Sequence, residues 1–127
     1  MTCKLLCGAW FIMILRGELY IADLDPVVGS EQGGLRPVLV VQNDMGNRYS
    51  PTVVVLAVTS QLQKARLPTH VQVPAAGHGL QKDSVILAEQ LRTLDKRRLH
   101  ERTGRIAPED QMRVDEALNV SLGLTSF

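Results

Sequence analysis

Two residues stand where a reacting group would be useful. Arg36 falls where a glycine-containing loop, residues 28–35 (VGSEQGGL), enters an apolar run, and Thr59 ends a second apolar run, residues 51–59 (PTVVVLAVT). If the two runs are neighbouring strands, a fixed positive charge and a hydroxyl meet at one rim. Each also has an ordinary reading: an Arg before a strand forms a rim ion pair, here with Glu31 or Asp44, and a Thr at a strand end caps the next turn. The distribution of charge is the other feature. The chain of 127 residues carries 14 Lys+Arg against 13 Asp+Glu, yet residues 61–105 hold nine basic and four acidic side chains, Lys64 and Arg66 among the basic ones. A near-neutral total thus hides a basic middle able to track phosphates, although residues 96–105 also read as a solvated helix face.

Other chemistries find no support. His70, His78 and His100 show no close-paired ligand spacing, so no metal site is expected, and no cofactor. His70 and His78 read as single surface histidines near loop ends. There is no nucleophile elbow, Walker loop or dinucleotide fingerprint, and Gly29, Gly33 and Gly34 do not match phosphate-cradle spacing. Both cysteines, Cys3 and Cys7, precede residue 13, which leaves the body free of a thiol nucleophile and fits a reducing cytoplasm. The apolar run of residues 5–15 is too short to span a bilayer, which takes about 20 residues, and no cleavage signature follows it. Residues 1–12 therefore read as an N-terminal extension, with Met13 as an alternative start, and residues 13–127 as one domain.

The elements that must position Arg36 and Thr59 follow from periodicity. Residues 18–23 alternate and read as a strand; residues 38–42 and 51–59 are continuous apolar runs, hence buried strands. Residues 68–73 alternate with Val71 and Val73 on one face. Residues 84–94 begin as a buried run and emerge with alternating polar positions. Asn43-Asp44 and Gly46-Asn47 read as turns. Asp95 is a candidate N-cap for a short helix reaching Leu99, and Pro108, with Glu109 and Asp110 behind it, opens an amphipathic helix to Leu122 whose apolar face is Val114, Ala117, Leu118, Ser121 and Leu122. The glycine loop between the first two strands lacks any period and reads as mobile surface. The sum is mainly β (α+β): a small, strongly bent barrel of about five antiparallel strands with short helices and a C-terminal helix.

Several motifs, in order, carry a resemblance. Arg16-Gly17-Glu18-Leu19-Tyr20, then Gly29-Ser30-Glu31-Gln32-Gly33-Gly34-Leu35-Arg36-Pro37, Gln42-Asn43-Asp44, Val58-Thr59-Ser60-Gln61, Leu67-Pro68-Thr69-His70 and Glu89-Gln90-Leu91-Arg92-Thr93 resemble the MazF/PemK/Kid toxin endoribonucleases over residues 13–124. The resemblance implies an SH3-like, CcdB-type barrel that forms a homodimer, cuts single-stranded RNA (mRNA) at short sequences without a metal, and is silenced by a cognate MazE-like antitoxin in the cytoplasm.

It also implies a catalytic pair, Arg36 and Thr59. Attack of a 2′-hydroxyl on its own phosphate needs in-line geometry, a proton acceptor, a proton donor and charge stabilisation. The Arg36 guanidinium suits the last of these, since its planar donors match phosphate oxygens and its charge persists at neutral pH. The resemblance extends RNA binding to Ser30, Glu31, Gln32, Gln61, Leu67, Pro68, Gln90 and Arg92, where amides pair with splayed bases and Arg92 with phosphate. With only 4% aromatic residues, stacking platforms are few. Two other classes stay open: a CcdB-like toxin that binds a protein target, and an RNA-binding module without turnover.

Overall fold

The computed structural model describes residues 2–4, 10–62 and 67–125. Lys64 and Arg66 of the basic middle and Cys7 lie outside them. A short hairpin pairs β1 (Thr2–Lys4) with β2 (Trp10–Ile12) in a ladder of its own. The main sheet has six antiparallel strands, one more than expected. They are β3 (Glu18–Asp23), β4 (Leu35–Val40), β5 (Thr52–Thr59), β6 (His70–Val73), β7 (Ser84–Asp95) and β8 (Leu99–Arg105), in the order β6-β7-β5-β4-β3-β8. Two helices, α1 (Asp44–Tyr49) and α2 (Pro108–Ser121), complete the body.

Continuous apolar runs in β4 and β5 mean that both faces of the sheet are covered, since successive side chains point to opposite sides. One face packs Leu19, Leu39, Leu56, Val58, Val71 and Ile86 against Val114 and Ala117 of α2. The other gathers Tyr20, Ala22, Val38, Val40, Val53, Val55, Ala57, Leu94 and Leu99. One face of five strands meeting in one cluster is the signature of a strongly curled sheet.

The curl has a local cause. β5 pairs Leu56 with Leu91 but Ala57 with Leu87, so Ala88, Glu89 and Gln90 of β7 are three extra residues with no counterpart across the ladder. A bulge of this kind bends its strand and re-aims its side chains.

Four expectations are corrected. The segment 99–105 is a strand rather than a helix face: β8 joins the edge of the sheet through its main chain to β3, and only Leu99 and none of its charged side chains is buried. Charges on an edge strand block pairing with other sheets, and they hide the strand from an apolar-pattern reading. The turn at residues 43–47 is the start of α1, with the Asn43 side chain accepting the Gly46 N–H at 2.8 Å as an N-cap. The helix at Asp95 is a single 3-10 turn, Lys96–Arg98, capped by Asp95 as anticipated. At the end of α2, Leu122 is 56% exposed and so leaves the apolar face.

Candidate active site

β4 and β5 run antiparallel in the register Val38↔Ala57, Leu39↔Leu56, Val40↔Val55. Two residues further out, that register sets Arg36 opposite Thr59. Val38 and Ala57 share one face of the sheet, so the alternation of strand side chains puts Arg36 and Thr59 on that face too. The two residues thus occupy one rim.

Their surroundings differ. Arg36 is half-buried, and its Nε donates to the Gly33 carbonyl at 2.9 Å. Among the described residues neither of its terminal amino groups has an acceptor, and the rim ion pair does not form. Glu31 instead accepts the Val28 N–H at 2.7 Å, and Asp44 accepts the Arg16 N–H at 2.7 Å and the Asn47 Nδ2 at 3.0 Å. Thr59 is 1% exposed, and its Oγ1 accepts the Gln61 N–H at 3.2 Å. The turn-capping reading therefore holds for its oxygen. Its hydrogen finds no acceptor among the described residues.

A groove of about 580 Å³ opens beside Arg36. Leu35, Pro37, Val58 and Ser60, which alternate with Arg36 and Thr59 along their strands, line one side of it together with Ile21, so the groove lies on the other face of the sheet from Thr59 and meets Arg36 at the rim; Gly79–Lys82 and Arg102 also line it. Thr59 itself does not line it.

The remaining expected residues gather mostly at the β7 bulge. Gln90 Oε1 accepts the Gln32 N–H and Gln90 Nε2 donates to the Ser30 carbonyl, each at 3.4 Å, so the glycine loop is tied to the bulge. That loop was expected to be free surface. It is instead held by a further bond from the Gly34 N–H to Asp25 Oδ1, at 3.0 Å, and Gln32 is buried. Leu67 is 50% exposed and Pro68 exposed, next to Thr69, whose hydroxyl donates to Glu89 at 2.9 Å. Gln61 is exposed beyond Thr59. Arg92 donates to the Leu24 carbonyl at 2.7 Å and so braces the base of the glycine loop.

Electrostatics separates these groups. Burial works to raise the Glu89 carboxyl, but hydrogen bonds from His70, from its own backbone and from Thr69 outweigh it and hold the group below its ordinary range. Glu18 is buried and accepts from Leu15 N–H, Tyr20 hydroxyl and Arg102 Nε. Burial first, then the Glu18 charge and hydrogen bond, pushes the Tyr20 hydroxyl well above its ordinary range, although Arg102 opposes the shift.

Sequence reasoning missed the Gly79–Lys82 wall and Arg102. Lys82 and Arg102 belong to the basic middle, and that excess charge was the one available signal. It also placed His70 and His78 at the surface. Both side chains are buried: His70 is bonded to Glu89 at 2.8 Å and His78 to Asp110 at 2.7 Å, partners that no local spacing reveals.

A curled six-stranded sheet with, at the edge of a groove, a guanidinium whose terminal amino groups have no acceptor among the described residues defines a small β-domain whose chemistry suits an anion. The chain matches the family described as PemK-like, MazF-like toxin of type II toxin-antitoxin system over residues 15–122. It is 57% identical over 116 residues to the endoribonuclease EndoA of Bacillus subtilis (strain 168), which covers 91% of this chain and 100% of that protein. The crystal structure of MazF from Deinococcus radiodurans superposes with a TM-score of 0.77 at 29% identity, covering 89% of this chain and 99% of that one. An endoribonuclease from Mycobacterial species, solved in complex with its cognate antitoxin, gives 0.75 at 28% identity, covering 90% and 99%. The chain belongs to the PemK/MazF-like toxins of type II toxin–antitoxin systems.

Proposed function

We propose that this toxin is a homodimeric, sequence-specific endoribonuclease of the cytoplasm that cleaves single-stranded mRNA through the RNA's own 2′-hydroxyl, with no metal in the step. The 2′-oxygen forms a bond to the adjacent phosphorus and releases its proton to solvent, the bond from phosphorus to the 5′-oxygen breaks, and that oxygen takes a proton from solvent, leaving a 2′,3′-cyclic phosphate and a 5′-hydroxyl. Arg36 binds the non-bridging oxygens and stabilises the charge that grows on them. Thr59 supplies its unshared O–H hydrogen to the same phosphate. Because it is buried, the residues around it have to move for that contact.

The observation that carries this reading is the Arg36 side chain, fixed by Gly33 through Nε while both amino groups stay without a carboxylate partner among the described residues. A charge held in place and left uncompensated at a groove is one prepared for an anion. Ser30, Glu31, Gln32, Gln61, Leu67, Pro68, Gln90 and Arg92 are assigned to RNA binding around it; the shared anchor at the β7 bulge supports this for Ser30, Gln32 and Gln90.

The test is a digest of a long RNA with sequencing of fragment ends. Wild type should yield 5′-hydroxyl ends at one short word, and Arg36→Ala should slow cleavage by about 10²–10³-fold, the loss typical of one oxyanion donor. Unchanged cleavage by folded Arg36→Ala and Thr59→Ala proteins would remove both residues from the reacting site, and a wild type that cuts no RNA would return the function to protein binding. The cognate antitoxin, by the same charge argument, is a MazE-like acidic segment that orders as it covers the groove. Its binding should weaken as salt rises; salt-independent binding refutes that picture.

A further inference from the structure

His78 takes no part in the chemistry above, yet it is 5% exposed and both its ring nitrogens are engaged. Nε2 lies 2.7 Å from Asp110 Oδ2 in the first turn of α2, and Nδ1 lies 3.0 Å from the Ala76 carbonyl. Each partner offers an oxygen to the ring, so the imidazole is held from both sides. The other Asp110 oxygen accepts from Arg113 Nη1 at 2.9 Å, and the same Arg113 group donates to the Gln72 carbonyl of β6. One residue of the β6–β7 loop is thereby clamped to α2 and, through Arg113, to β6.

What the clamp holds is the groove wall. Gly79, Leu80, Gln81 and Lys82 directly follow His78 and face the groove that Arg36 borders. The main chain on either side is in close approach to β8: a Cβ at Gly104 would lie 2.4 Å from the His78 carbonyl oxygen. A loop pressed this tightly on β8 has one position while His78 is anchored. Asp83 closes its far end by accepting the Ala75 N–H at 2.8 Å.

We propose that His78 is a positioning residue for RNA: its bond to Asp110 fixes the Gly79–Lys82 wall, and with it the Lys82 ammonium, at the distance from Arg36 that one strand of RNA requires. This rests on reading the groove as the RNA seat. His78 does not touch the reacting phosphate, and its effect is on substrate binding.

The experiment measures kcat and KM on a short RNA containing the cleaved word, together with Kd for the same RNA bearing 2′-O-methyl groups, which binds but lacks the attacking hydroxyl. In His78→Gln and in Asp110→Asn, KM and Kd should rise together by about tenfold, the worth of one charge-assisted hydrogen bond, with kcat within about twofold of wild type. A lowered melting temperature with KM and Kd unchanged would make the clamp merely structural and overturn the proposal. Should His78→Gln not fold, Asp110→Asn decides; should neither fold, Lys82→Ala on the exposed wall decides, and unchanged KM and Kd there overturn the proposal. Wild-type protein that neither binds nor cuts any RNA is a different result, and it removes the nuclease reading itself.

Discussion

Gly77 and Gly79 offer a controlled comparison of what the β6–β7 loop leans on. Both have left-handed backbone, with φ of +81° and +76°, so a methyl group strains each to a similar degree, by about 1–2 kcal/mol. Only one methyl has something in its way. A Cβ at Gly79 would lie 2.1 Å from the Thr103 carbonyl oxygen and 2.7 Å from Gly104 Cα, main-chain atoms of β8 that cannot swing aside. At Gly77 no described atom comes within 4 Å. Pushing the loop off β8 adds an overpacking cost of about 1–3 kcal/mol. Gly79→Ala should therefore lose about 1–3 kcal/mol more than Gly77→Ala, a large part of a domain's usual 5–15 kcal/mol or so. Urea titrations followed by far-ultraviolet circular dichroism at one protein concentration measure this directly. With a slope of about 1–3 kcal/mol per molar urea, the midpoints of the two variants should separate by roughly 1 M. Equal midpoints would mean that the close approach of the loop to β8 does not exist in solution.

Two other expectations concern the β7 bulge and the chain's beginning. Folding lowers the Glu89 carboxyl below its ordinary range, so the carboxylate's contribution is present near neutral pH and is lost as acid protonates it. Glu89 is about one-third exposed, which keeps that contribution under about 1 kcal/mol; wild type should still lose more stability than Glu89→Gln between neutral and mildly acidic solution, and parallel losses in urea melts would refute the assignment. Protein begun at Met13 should fold and cleave like the full chain, because among the described residues the β1–β2 ladder pairs only within itself; loss of cleavage in that protein would place residues 1–12 inside the toxin domain.

The sequence was most readable where one physical signal dominated. β3 occupies the alternating segment 18–23 as expected, β7 begins at Ser84 where the apolar run begins, and α2 starts at Pro108, whose missing N–H suits a first helical position. Arg36 and Thr59 could be placed at one rim because each terminates an apolar run and the runs are neighbours. β8 was not readable: its stability comes from main-chain bonds to β3, and those leave no mark on side-chain hydropathy. Nor were the ion pairs, since Glu18 meets Arg102 from 84 residues away and His78 meets Asp110 from 32. Such partners are created by topology. The same is true of the anchored glycine loop, whose bonds to Gln90 span 58 and 60 residues.

The three unmatched residues of β7 have a consequence for what substitution there can disturb. Glu89 and Gln90 stand outside the ladder between β5 and β7, so replacing their side chains removes no rung of that ladder. Variation at Glu89 and Gln90 is therefore felt through the bonds of the side chains themselves, to His70 and Thr69 and to the glycine loop, while the pairing of β5 with β7 is untouched.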